Sequence, residues 1–247
     1  MLNTQKNLLA FGLLVFSAQL SVAQEINRDL KSFSKIIASP RVNLILEKGE
    51  EESIRLIYTN VSPDRINIKV KGKTLHVYLD DAKVIEKTEH NIPNGRRSIY
   101  RDASVTAYVT YTSLEYLEIR GNQELTCDGP IRAKKFTLKA YGENEIRLAS
   151  VKTEYLKTSL YGDNDLRIRG GKAEFQKYRL FGENRIDTQD LKSYATTANI
   201  YGESKIKLST EDNLRINAFG ESQISNRGDA SINRGLIFGR TQINQVN

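Results

Sequence analysis

Tyr141-Gly142-Glu143-Asn144, Tyr161-Gly162-Asp163-Asn164, Phe181-Gly182-Glu183-Asn184, Tyr201-Gly202-Glu203-Ser204 and Phe219-Gly220-Glu221-Ser222 are five copies of one phrase. Each is an aromatic, a glycine, an acid and a small amide or hydroxyl residue. Phe238-Gly239-Arg240-Thr241 closes the series, and Arg120-Gly121-Asn122-Gln123 opens it in weaker form. From Gly121 to Gly239 the glycines step by 21, 20, 20, 20, 18 and 19 residues. A fixed period in that range is the signature of stacked repeats.

Outward from the phrase, apolar residues alternate with polar ones on both sides. Ile146, Leu166, Ile186, Ile206, Ile224 and Ile243 follow the glycines, with Leu148, Ile168 and Leu208 two positions later. Leu156 and Leu160, Tyr178 and Leu180, Ala198 and Ile200 precede them in the same rhythm. Period two means strand. Each repeat therefore reads as strand, glycine corner, strand and short polar link, with no room for a helix. One such unit has only a strip of apolar side chains, so copies must stack to bury it. The expected fold is all-β: a right-handed parallel β-helix, or solenoid, of roughly 20-residue rungs over 114–247, since parallel crossovers favour that hand. At about 4.8 Å per rung, seven rungs make a rod of about 34 Å.

In such a stack every column repeats. Gly142, Gly162, Gly182, Gly202 and Gly220 suit a corner with positive φ, and Asn144, Asn164 and Asn184 are placed to form a hydrogen-bonded ladder. Stacking also sets Asp165 beside Arg185, and Asp187 between Arg167 and Lys207, on a solvated face.

Residues 1–23 read as a cleaved secretory signal: Lys6, an apolar run from Leu8 to Leu20, then Ser21-Val22-Ala23 before Gln24. No later run is apolar enough to span a membrane. Residues 24–113 carry the strand rhythm without the phrase, at Val42-Leu44-Leu46, Ile54-Leu56-Tyr58, Ile66-Ile68-Val70, Leu75-Val77-Leu79 and Val105 to Tyr111. They form a more irregular N-terminal β region, continuous with the solenoid, in which 81–103 reads as a loop. The single cysteine, Cys127, excludes an internal disulfide framework. The net charge of +7 is spread over every segment and not gathered into a tract. It suits an anionic surface or acidic polysaccharide better than nucleic acid in an exported chain.

Phe33-Ser34-Lys35-Ile36 leading to Val42-Asn43-Leu44, the Leu75-His76-Val77 strand after a glycine turn, Leu114 with Leu117, Ile119 and Gly121, and the glycine repeats together resemble the auto-transporter adhesin head, or GIN, domain family. The resemblance spans roughly 33–240. It implies an exported protein of the periplasm, outer surface or medium, a fold similar to right-handed parallel β-helices, and an envelope role without known catalysis. It transfers no binding residue.

Two columns are candidates for chemistry. Tyr141, Tyr161, Phe181 and Tyr201, with Glu143, Asp163, Glu183 and Glu203 beside them, form a candidate ligand platform of aromatics and carboxylates. Counted from Leu160 or Ile200 the rings point outward, but a glycine corner can turn them inward as packing. The acids recur once per rung, as a repeated turn requires, and no pair stands apart as catalytic. His76 and His90 lack the partners for a metal site, and no cofactor fingerprint is present. The reading is a non-enzymatic adhesin-like binding or scaffold protein whose partner is a glycan or a surface protein. The alternatives are a polysaccharide lyase or hydrolase, using carboxylates of the repeats with cations of 81–103, and a structural protein that oligomerises through its uncapped ends.

Overall fold

A computed structural model describes residues 23–92 and 95–246, without the side chains of 89–97. The signal reading of 1–23 thus falls outside the described residues except at Ala23, and so do Pro93 and Asn94. The chain is all-β, apart from one 3-10 turn at Pro63–Arg65. No helix among the described residues is long and apolar enough to cross a membrane.

The N-terminal strands are β1 (Gln24–Asp29), β2 (Lys35–Ala38), β3 (Val42–Lys48), β4 (Ser53–Thr59), β5 (Ile66–Lys71) and β6 (Thr74–Leu79). A hairpin of β7 (Thr88–Ile92) and β8 (Gly95–Ser98) leads to β9 (Ser104–Tyr111). Two very long strand runs follow, β10 (Tyr116–Ile168) and β11 (Gly171–Phe219), and then β12 (Ser222–Arg227), β13 (Ser231–Phe238) and β14 (Thr241–Val246). All but β7 and β8 belong to a single curled sheet.

The repeat register is the one that the glycine spacing demands. β10 and β11 pair in parallel, with Tyr161 opposite Phe181, Gly162 opposite Gly182 and Asn164 opposite Asn184. Ser204 to Ser209 then pair with Ser222 to Arg227, and these with Thr241 to Val246. The ladder passes through the corners unbroken because equivalent residues turn together. Inside, Ile146, Leu166, Ile186, Ile206 and Ile224 are fully buried, as are Leu160, Leu180 and Ile200 from the strand before the corner. Each such burial contributes about 1.5–3 kcal/mol, which is what holds repeat on repeat.

Parallel pairing enters the repeats through β2 and β3, which lie against the first part of β10. β6 and β9 continue the parallel pairing on the far sides of β2 and β3, and beyond them the pairing changes. β4 is antiparallel to β9 and to β1, and β5 and β6 form an antiparallel hairpin. The segment 81–103, read from sequence as a loop, carries the β7–β8 hairpin. It is tied down by Glu86, whose carboxylate accepts from Arg41 Nε (2.9 Å), the Ser98 hydroxyl and the Tyr100 amide (2.7 Å). One apolar core runs from Phe33 to Ala230 across both regions.

Candidate functional site

The glycine corner sets the geometry of everything outside the coil. Gly182 has φ +94°, and a Cβ added there would lie 2.5 Å from the Gly162 carbonyl oxygen of the coil beneath. The corner therefore needs glycine both for its left-handed backbone and for close coil stacking. Just after it, the Asn side chains turn inward as a ladder. Asn144 Nδ2 donates to Asn164 Oδ1 (2.9 Å), and Asn164 Nδ2 donates to Asn184 Oδ1 (3.2 Å). The ladder is sealed from water, with Asn164 at 1% exposure. Ser204 and Ser222 continue the column with hydroxyls that have no hydrogen-bond partner among the described residues.

Just before the corner, alternation holds and the aromatics point out. Tyr141, Tyr161, Phe181, Tyr201, Phe219 and Phe238 form one unbroken stack, with centroids 4.7–5.3 Å apart and ring planes within 16° of parallel. Tyr141 and Tyr201 are 36% and 41% exposed, and Phe238 60%. Because each ring between Tyr141 and Phe238 has a stacked neighbour on both sides, those faces are occupied and the column offers its edges. Ring edges are the electropositive part of an aromatic. This differs from a flat plate on which a sugar ring could lie.

The flank after the corner begins with the acidic column Glu143, Asp163, Glu183 and Glu203, all exposed. Next to it the charges pair among themselves. Asp165 lies 3.3 Å from Arg167 and 3.7 Å from Arg185, Lys207 lies 3.8 Å from Asp187, and Arg147 is bonded to Glu145. Stacking predicts Arg167 beside Asp187. The strands do place them opposite, but the guanidinium folds back along its own strand to Asp165.

The flank before the corner differs, and sequence reading passed over it. Lys157 stands directly opposite Lys177, and Ser159 opposite Arg179, with Lys135 and Lys139 on the preceding coil. The Lys157 ammonium is held below its usual pKa by partial burial first, and then by Arg179, Lys139, Lys135 and Lys177. Beyond these cations lies a second aromatic cluster: Tyr155 stacks on Phe175 at 5.2 Å, and Tyr194 meets Phe175 edge-on at 6.3 Å. The 20-residue step from Tyr155 to Phe175 was the available signal, hidden because Tyr194 is one position out of step.

No group of three or more His, Cys, Asp or Glu side chains among the described residues could hold a metal ion. Cys127 is buried, its thiol pushed up by burial and placed 3.4 Å from the Tyr111 hydroxyl. It behaves as a packed small residue and not as a nucleophile. His76 is half-buried, and its pKa is lowered by burial first and then by Lys83 and Arg120. The His90 side chain lies outside the described residues.

The family model whose description reads "Putative auto-transporter adhesin, head GIN domain" matches residues 32–230. No curated protein matches the chain. Among solved structures, a putative adhesin from Bacteroides fragilis aligns with a TM-score of 0.72 at 15% identity, over 91% of this chain and 97% of that one. A putative adhesin from Parabacteroides merdae aligns at 0.65 and 15%, over 91% and 96%. A putative lipid binding protein from Parabacteroides distasonis aligns at 0.67 and 14%, over 91% and 97%. At these identities the likeness is one of fold.

Proposed function

Because the chain belongs to the auto-transporter adhesin head GIN domain family, we propose that it is an exported, non-catalytic binding or scaffold protein of the cell envelope, which contacts a glycan or a surface protein. The observation that carries this reading is the six-ring column on the outer side of the repeats, with Tyr141, Tyr201 and Phe238 exposed. Exposed aromatic surface repeated at a fixed spacing suits a repetitive partner, because each further coil adds a contact at high effective concentration. Tyr141, Tyr161, Phe181 and Tyr201 are the platform, with Glu143, Asp163, Glu183 and Glu203 along one border. Gly142, Gly162, Gly182, Gly202 and Gly220, with Asn144, Asn164 and Asn184, are its support. The repeats form a right-handed parallel β-helix over 114–247, with 24–113 as its irregular beginning; the 20-residue parallel register and the handedness of parallel crossovers support this.

The enzymatic alternative needs a cation brought from 81–103 to the carboxylate column. Within the described side chains of that segment, Lys87 turns to Asp81 at 2.5 Å and Lys83 sits 5.2 Å from the Tyr78 ring. The reading is tested by a glycan array on the purified protein, together with an assay for released reducing or unsaturated sugar. Binding without release is expected; release of sugar would overturn the non-catalytic reading.

A further inference from the structure

The flank before the corner is arranged at a cost to stability, and its chemistry names a ligand. Like charges directly opposite on neighbouring strands are destabilising, yet Lys157 faces Lys177 in register. The interactions that most perturb Lys157 after its burial come from four cations and no carboxylate. On the other flank Asp163 likewise faces Glu183, but the next columns bring opposite charges together, with Asp165 between Arg167 and Arg185. Two acids of β10 on this side are already engaged. Glu118 is buried beneath Arg120 and the Tyr116 hydroxyl, and Glu154 lies 3.9 Å from Lys134.

We propose that the strip between the two aromatic groups, with Lys157, Lys177 and Arg179 at its centre, binds a linear acidic polysaccharide, that is, a sugar chain bearing carboxylate or sulfate groups. The inference rests on the binding reading above and deepens it by naming the ligand class and the face. From Tyr155 to Tyr161 the strip is six strand residues wide, roughly 20 Å, enough for several sugar units. Its borders are Tyr161 and Phe181 on one side and Tyr155 and Phe175 on the other. They present electropositive ring edges, and the tyrosines add hydroxyl donors, all suited to oxygen-rich anionic groups. A single-stranded nucleic acid would instead need free ring faces on which to stack its bases. Here Tyr161 and Phe181, 5.0 Å apart, each have rings on both faces, and Tyr155 and Phe175 turn a face to each other at 5.2 Å.

The test measures binding of the purified protein to polygalacturonate, to dextran sulfate and to uncharged dextran. The proteins compared are the wild type, the double variant Lys157→Gln/Lys177→Gln, and a charge-matched control, Lys31→Gln/Lys205→Gln, whose residues are exposed elsewhere. The expected result is binding to at least one of the two anionic polymers and not to dextran. It should weaken roughly tenfold or more in the strip variant and less than about threefold in the control, since two central charges are lost against two distant ones. The relative affinity for the two polymers separates carboxylate from sulfate recognition. Melting temperature checks folding, and the strip variant should melt no lower than the wild type. Equal weakening in both variants would overturn the site in favour of net charge alone. Binding of single-stranded DNA as tight as that of the polysaccharides, and lost in the same variant, would overturn the ligand class. Failure with both anionic polymers alongside capture of a neutral glycan on the array would sink this inference and leave the broader binding reading standing. Silence on every glycan would sink both readings, so far as they invoke sugars.

Discussion

Two flanks of the same repeats, separated by one glycine corner, treat stacked charge differently. After the corner Asp163 faces Glu183, but in the columns beside them opposite charges meet: Asp165 pairs with Arg167 and Arg185, and Lys207 with Asp187. Before it, Lys157 and Lys177 confront each other with Arg179 and Lys139 close by. Both flanks hang on the same ladder and the same core, so the difference is not imposed by the fold. A repeat protein copies its backbone geometry from coil to coil but is free to choose its outward residues. Where those choices run against stability, a partner is the economical explanation.

The comparison depends on the corner, and the largest effect is expected from breaking it. Gly182→Ala should lower stability by roughly 2–4 kcal/mol, because a side chain there combines a left-handed backbone with a clash against the coil beneath. Denaturant unfolding measures it, and a loss below 1 kcal/mol would show that the corner is not the hinge of the two flanks. Next comes the ladder. Asn164→Ala leaves Asn144 Nδ2 with the Tyr141 carbonyl as its one remaining acceptor and takes the Asn164 donor from Asn184 Oδ1 in a buried column, for an expected loss of about 1–3 kcal/mol.

The ring column follows, and it separates its middle from its end. Phe181 has a stacked ring on each side, whereas Phe238 has one. Each stack contributes about 0.5–1.5 kcal/mol beyond area, so Phe181→Ala should destabilise about twice as much as Phe238→Ala. Equal losses would mean that the rings act singly and not as a column.

The flanks themselves should then differ in sign. Arg185→Gln removes half of an exposed ion pair and should lower stability by less than about 0.5 kcal/mol. Lys157→Gln relieves repulsion across the ladder and should raise stability by a few tenths. A clear loss on Lys157→Gln would erase the contrast.

The smallest effect concerns pH. His76 lies on the outward side of β6, opposite Ile37, which is in turn opposite Glu118. Burial and then Lys83 and Arg120 depress its pKa, so the folded state binds its proton less readily than the unfolded state. Stability should therefore fall as pH drops below about 6.5, the unfolded value, and the loss is complete below the folded pKa. His76→Gln should flatten that part of the acid unfolding profile slightly.

What was legible in the sequence followed from its redundancy. Tyr161, Phe181 and their equivalents recur at one period, so the corner, the register and the inward Ile146, Leu166 and Ile186 could be read without coordinates. The N-terminal half has strands equally clear by alternation, but nothing repeats. Val105 to Tyr111 gives no sign that β9 will lie parallel to β3 on one side and antiparallel to β4 on the other. That choice is made by long-range packing. The β7–β8 hairpin escaped because its polar residues alternate with no apolar face. The platform residues Tyr141, Tyr161, Phe181 and Tyr201 were legible as a column, but the use of their faces was not, since whether rings stack on one another depends on the coil spacing. The cationic strip was missed for a plainer reason. Lys157, Lys177 and Arg179 look like ordinary solvated charges until register sets them side by side.

The most direct test of the account is binding by the double variant Tyr161→Ala/Phe181→Ala, measured against whichever glycan the array selects, at a temperature where melting curves show both proteins folded. The account predicts a lower melting temperature together with at least a roughly tenfold loss of binding, as for central contacts of an interface. A variant that melts lower but binds as tightly as the wild type would contradict it, and would leave the outer column as a covering for the glycine corner and nothing more.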